Sequence, residues 1–552
     1  MSDKKRLDHK RAWQTIFWQA VVVFIISFVI RFIGGSVTPI QTDELYHLLA
    51  SQSWVVNGSF KILDGDYNRA GGFTVLIGLV SKMLGSDTML VARVPSMVFG
   101  ALLITLLFVW LSNIADRKVA WAGTLLFFLA HFVIDISQFA RFYALHALLI
   151  LLASVIVYSI IAEQRSYWRL LLAGIAIVIA FHLQITTAIA LMALVVWVLI
   201  DLACHYGHPI LQNKKHWLWL IMLGISSLFI AYFAVGNLLD QFRYAPLWAV
   251  PAKNNVLFYY SDFRLRMPIL WQLFPLAFIA ALVRWPRPAF FCIIMFTVPM
   301  VIHSLGAMKS MRYVYYIWPY FFAIWGMATS VVLPAIFGVT KQGISALTNS
   351  LRVNISGSLG DNAAIVSSVA IVTIALLGNS VYTDALREVG HNLKRVAYNP
   401  SFGMESPPDK PWTGQVTTLR ESIRETSILV TADDLRTIRY LRPYDVLLNA
   451  SVLSDVKTWK DFEVDFRTGR PVIASADAIE KVIQCYPDGV ILVPESRWRV
   501  PTGVTSQAAD AIEKMTVPLF SVTGFRIFKW KTPNAPDSCI GFRNTLKEKI
   551  HG

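Results

Sequence analysis

Eleven apolar stretches, each long enough to cross a hydrocarbon layer of roughly 30 Å, recur through the first two thirds of the chain. They fall near residues 15–35, 91–111, 119–139, 144–162, 168–184, 186–205, 217–236, 268–283, 288–306, 313–336 and 363–383. Segments of this kind can satisfy their backbone in lipid as helices, so they predict an all-α polytopic bundle. Composition agrees: 55% of residues are apolar and 15% charged, against roughly 25% charged in a soluble domain. The run over 168–205 is too long for one helix, and the polar interruption His182-Leu183-Gln184 with Thr186-Thr187 predicts a turn inside it. The first stretch, Thr15 to Ile33, exceeds the core of a signal peptide and Gly34-Gly35-Ser36 is a weak cleavage match. It reads as a true span.

A net charge of +15 would suggest nucleic acid in a soluble protein. Here Lys and Arg gather in short loops, which orients spans in a membrane and makes lipids, not nucleic acid, the expected partner. Five of them precede the first span in MSDKKRLDHKRAW. Alternate loops carry Arg117-Lys118, Arg165 and Arg169, Lys214-Lys215, Arg284 and Arg287, then Lys341 and Arg352. These loops and the N-terminus are expected in the cytoplasm of a multi-pass inner (plasma) membrane protein. An odd span count puts the tail outside, periplasmic or extracellular.

Two outer loops are long for a bundle. Residues 36–90 contain amphipathic pieces at Asp43–Val56 and Gly72–Leu84, the second too short to span and expected at the interface. Residues 237–267 are rich in Tyr, Trp and Phe, as at headgroup level. Beyond 384 the pattern changes. Ser427–Thr431, Tyr444–Leu448, Pro471–Ala474, Gly489–Val493 and Phe525–Lys529 read as strands, with Asp477–Cys485 a helix between two of them. The expected division is a membrane domain over 1–383 and a small α/β domain over 384–552. An exported domain can keep a disulfide, so Cys485 and Cys539 are either bonded or two free thiols.

Three clusters carry candidate chemistry. Asp43-Glu44 follows the first span, with Thr42 as an expected N-cap that puts both acids in the first helical turn. The helix dipole there favours a carboxylate, which can accept a proton from an attacking hydroxyl. The plainer reading is that first-turn acids simply stabilise helices. Lys309-Ser310-Met311-Arg312-Tyr313 sets cations on the outer side, against the usual bias. They would hold a phosphate or diphosphate leaving group, or else snorkel to headgroups. The third is Gln138 to Leu145, where Arg141 and Tyr143 can reach a sugar or phosphate and Asp135 belongs inside the bundle. Arg69, Arg243, Tyr244, Tyr259 and Tyr260 are placed to touch a headgroup, and His182 is expected in a turn. Trp412, Trp459 and Trp498 read as core before sugar-stacking rings. No pattern here requires a cofactor, and a divalent metal is left open.

In this order and on one face, Asp43-Glu44, the stretch Ala140 to Leu145, and Arg312-Tyr313 with Pro319 resemble the type C glycosyltransferases. The likeness is to the branch of protein O-mannosyltransferases and lipid A aminoarabinose transferases and their bacterial relatives, over residues 15–336. It implies inverting transfer from a polyprenyl-monophosphate sugar. Asp43 maps to the base with Glu44 as neighbour or substitute, and Lys309 and Arg312, joined by Arg243, map to the cations on the carrier phosphate. Arg69, Arg141, Tyr143, Tyr259 and Tyr313 then fall to substrate binding. The tail lacks a lectin-like insert, which points to an envelope glycan or lipid acceptor. Rival readings are a polymerase or ligase using diphosphate-linked glycans, a lipid-sugar transporter and a non-catalytic receptor. Mid-span charges are scarce and matching halves absent, against the transporter. Eleven spans exceed what an anchor needs.

Overall fold

In the computed structural model, the described residues are 3–212, 255–306, 308–350, 357–398, 409–424, 426–450, 463–465, 467–519, 522–531 and 539. Among the described residues, the apolar stretches form helices. Six helices among the described residues are long and apolar enough to cross a membrane: Trp13–Val37 (in α1, Asp3–Val37), Met89–Ile114, Tyr143–Ala162, Thr187–His205, Pro286–Leu305 and Tyr315–Ser350. Two more expected spans are helix pairs bent by 64° (Arg117–Phe128 with His131–Gln138) and 85° (Asp361–Leu377 with Ser380–Ala397). Arg169–Leu183 and Phe274–Arg284 are shorter apolar helices. The expected span at 217–236 lies outside the described residues. The turn foreseen within 168–205 falls at Gln184, which caps the helix ending at Leu183 before the next begins at Thr187.

Contacts group the chain into two units, one of residues 1–35 and 94–400, the other of 36–93 and 401–552. By its contacts the first outer loop therefore groups with the tail, although in sequence it lies between two membrane spans. The amphipathic helix Ser380–Tyr398 goes the other way, with the bundle.

Lipid offers no hydrophobic drive between helices, so close packing must hold the bundle. A Cβ added at Gly326 would sit 2.7 Å from the Cα of Gly123, and one at Gly34 would overlap Gln138. Small residues here let backbones approach. Aromatic rings fill the remainder: Trp197 stacks on Tyr158 at 5.4 Å and meets Phe291 edge-on at 4.8 Å. Such pairs add packing beyond the area they bury.

In the second unit, α2 (Thr42–Asn57), the hairpin β1–β2 (Lys61–Ile62, Gly65–Asp66) and α3 (Gly71–Leu84) come from the first loop. Among the described residues, the tail supplies a seven-stranded sheet ordered β5-β6-β4-β3-β7-β9-β8. Its strands are β3 (Ile428–Thr431), β4 (Val446–Leu448), β5 (Glu463–Val464), β6 (Pro471–Ile473), β7 (Asp488–Pro494), β8 (Val517–Leu519) and β9 (Phe525–Lys531). β6, β4, β3 and β7 run parallel, while β5, β8 and β9 join antiparallel. Both faces are covered, which is why the parallel strands read as unbroken apolar runs. Ile428, Val430, Ile491 and Val493 pack on the helices Ala476–Cys485 and Ser506–Met515. Leu429, Leu447, Val490 and Leu492 face Trp412, Leu419 and Ile423. Trp412 and Trp498 are thus core residues, and Trp459 lies outside the described residues. Cys485 and Cys539 are bonded, and Cys204 and Cys292 are free thiols.

Candidate functional site

The acids of the first loop stand at the start of α2, as their sequence context requires, but one detail differs. The N-cap is Gln41, and Thr42 is the first helical residue. Glu44 accepts from the Gln41 backbone N–H at 2.9 Å and from Arg93 through both oxygens, at 2.7 Å from Nε and 2.6 Å from Nη2. Both side chains of this pair are fully buried. Arg93 also donates to the carbonyls of Thr38 and Pro39 at 2.8 and 3.1 Å. Glu44, expected beside Asp43 as neighbour or substitute base, thus has its oxygens engaged in holding the segment 38–44. Asp43 beside it is half-buried at the positive end of the helix. One turn on, the buried His47 pairs through Nδ1 with Thr74 Oγ1 at 2.9 Å. Arg69 is exposed just ahead of α3.

The hydroxyl of Thr42, one position past the cap, is used by the tail. It accepts from Arg436 of the tail at 3.2 Å, and Arg436 also donates to the carbonyl of Ile40 at 2.9 Å. Further links join loop and tail: Asp64 pairs with Arg470 at 3.0 Å, Asp87 with Arg439 at 3.1 Å, and Arg467 lies over the Tyr46 ring at 5.4 Å. Tyr46 donates to Asp434 at 3.5 Å. Burial, then the charge of Asp433, pushes the Asp434 carboxyl up to about 6.

The bundle brings together two stretches that lie far apart in sequence. Arg141 is buried, donates to the Tyr143 hydroxyl at 3.4 Å and lies 5.5 Å from that ring's centroid. Arg312 lies 5.9 Å from the same ring and 5.5 Å from Tyr313, and the Tyr143 and Tyr313 rings are 6.3 Å apart. Two guanidiniums against one ring concentrate positive charge as a phosphate would require. Lys309 is buried in the same loop and donates to the carbonyl of Gly306; burial lowers its ammonium below the usual lysine value. Tyr259, also buried, fixes this loop by exchanging hydrogen bonds with the Ser310 backbone, each 3.2 Å. Arg243 and Tyr244 lie outside the described residues.

Arg93, His47 and Arg436 were not singled out in sequence. A signal existed only for Arg93, a cation at the start of an otherwise apolar span. Among the described residues, no three His, Cys, Asp or Glu side chains gather so as to hold a metal ion.

No family model and no curated protein matches the sequence. Solved structures do match. The chain is similar to ArnT from Cupriavidus metallidurans bound to undecaprenyl phosphate, with TM-score 0.56 and 13% identity over 92% of this chain and 97% of that one. The apo state of that protein matches equally at 14% identity. The chain is also similar to the archaeal oligosaccharyltransferase AglB from Archaeoglobus fulgidus, in complex with an inhibitory peptide and a dolichol-phosphate. There the TM-score is 0.53, with 12% identity over 95% of this chain and 75% of that one. At such identities the likeness is one of fold.

Proposed function

We propose, for a chain with the fold of the type C glycosyltransferases, that it moves a sugar from a polyprenyl-phosphate carrier to a hydroxyl of an envelope glycan or lipid, inverting the anomeric centre. The observation that carries this reading is the gathering of Arg141 and Arg312 around Tyr143, with Lys309 in the same loop as Arg312, a cationic, aromatic cluster suited to a sugar phosphate. The likeness in fold to proteins whose structures hold undecaprenyl phosphate and dolichol-phosphate supports it.

In this mechanism Asp43 takes the proton of the acceptor hydroxyl. The oxygen attacks the anomeric carbon opposite the phosphate, the bond from that carbon to the phosphate oxygen breaks, and the polyprenyl phosphate leaves with its charge held by Lys309 and Arg312. Arg243 belongs to the same phosphate-holding set, and Arg69, Arg141, Tyr143, Tyr259 and Tyr313 to the binding of sugar and carrier. Glu44 we assign to positioning, through Arg93. The reaction is set on the non-cytoplasmic side of the inner membrane, with the tail outside, and asks for no cofactor, a divalent cation being left open.

The test has two steps. The lipid that accumulates when the gene is deleted identifies the donor: a monophosphate sugar supports this reading, and a diphosphate glycan replaces it with a polymerase or ligase. With that donor, Asp43→Asn in membranes is expected to accumulate normally and lose transfer by about 10²–10⁴-fold, the usual contribution of a general base. Full activity in that variant would end the base assignment.

A further inference from the structure

The parallel strands of the tail lie in the spatial order β6-β4-β3-β7, so chain order reverses beside β3. In open α/β sheets the crevice at the carboxyl ends of strands flanking such a reversal is where ligands bind. The turn leaving β3 carries Asp433, and the helix Asp434–Tyr440 that follows carries Arg436. What this turn holds is the start of α2. Arg436 donates from Nε to both oxygens of Asp409, at 2.9 Å each, and from Nη1 to Asp433 at 3.4 Å. The same guanidinium reaches Thr42 and the carbonyl of Ile40. These two residues flank the N-cap that precedes Asp43. Asp409 is buried and Arg436 largely so, so the fork is anchored in the tail and its free edge sets where the helix begins. A lysine, a point charge with three donors, cannot reproduce this fork.

We propose that Arg436 is a positioning residue for Asp43: the tail domain uses the crevice of its sheet to fix the acid-bearing first turn of α2. This rests on the reading of Asp43 as the base. It gives the tail a part in turnover, and it predicts that the loss of Arg436 acts only through Asp43. A displacement of about 1 Å at a reacting group costs on the order of 10²-fold. Arg436→Ala is therefore expected to lower kcat by about 10²-fold with the donor KM unchanged, and Arg436→Lys to restore little of it.

The deciding measurement is a double-mutant cycle on the full-length protein in membranes, with transfer followed using labelled donor. If Arg436 acts through Asp43, Arg436→Ala adds no loss to Asp43→Asn. Thr42→Val, which removes one acceptor without touching the charge, provides the same cycle with a milder variant should Arg436→Ala fail to accumulate. Losses that multiply in the cycle, a raised donor KM, or normal kcat in both variants would each overturn the proposal. The two readings fail separately. If Asp43→Asn is inactive while Arg436→Ala and Thr42→Val are normal, the base stands and the positioning role falls. If Asp43→Asn is fully active, both fall.

Discussion

The two units of this chain cohere by different means. Besides the ion pair of Arg287 with Asp201, the bundle relies on shape: glycines at 34, 123 and 326 admit neighbouring atoms, and rings such as Trp197, Tyr158 and Phe291 pack against one another. The unit formed by the first loop and the tail has its own apolar core on both faces of the sheet, and charge pairs fasten its segments to one another. Arg93 with Glu44, Arg436 with Asp409, Arg470 with Asp64 and Arg439 with Asp87 tie its parts together. Removing one partner of a buried pair costs far more than the pair contributes, because the other charge is left desolvated. Charge pairing therefore makes a unit specific in geometry and vulnerable at a few points, whereas packing spreads the load.

The largest expected effect follows from that vulnerability. Arg93→Ala leaves Glu44 buried without its cation and is expected to cost roughly 3–5 kcal/mol. Limited proteolysis in detergent should show the tail cleaved early while the helical signal of the bundle persists, and unchanged resistance would refute the contrast. Replacing both partners by apolar residues of similar volume is expected to recover much of the loss. Next in size, Gly326→Val forces a Cβ to within 2.7 Å of the Gly123 Cα, and overpacking of this kind costs about 1–3 kcal/mol. Here thermal unfolding of the bundle should shift and proteolysis of the tail should not.

The smallest effect concerns Asp434, whose carboxyl is raised to about 6 in the folded unit. A raised acid favours the neutral form when folded, so ionising it works against folding. That opposition is absent below the unfolded value near 4, and it is complete above about 6. Asp434→Asn is expected to stabilise the tail relative to wild type at pH 7, with the advantage vanishing as pH falls to 4. An advantage independent of pH would show that this carboxyl does not titrate in that window.

How much of this was legible in the sequence divides along the same line. Hydropathy finds the bundle because burial in lipid is written locally: the break at Gln184 follows from a short polar run, whereas the 64° bend within the single span expected over 119–139 has no such marker. The parallel strands of the tail are legible for the same reason, since two covered faces leave the runs Ile428 to Val430, Val446 to Leu448 and Val490 to Val493 apolar throughout. Charge pairs leave no such trace. Glu44 looked like half of a catalytic pair because nothing near it names Arg93 as its partner. Thr42 looked like a cap because its taker, Arg436, is 394 residues away. The contacts of the first loop with the tail are hidden in the same way, since Asp64 and Asp87 meet Arg470 and Arg439 from far along the chain. Arg141, Tyr143 and Arg312 were singled out by residue type, and the structure adds that they share one ring.

That same separation has a consequence for biosynthesis. At roughly 5–20 residues per second, the ribosome adds Arg436 about 20–80 s after Thr42 has been made. Until then the first turn of α2 lacks its anchor, and Asp64 and Asp87 await partners that are still unwritten. The loop must pass that interval as an incomplete body, so the first turn of α2 cannot gain its anchor in the tail before nearly four fifths of the chain has been translated.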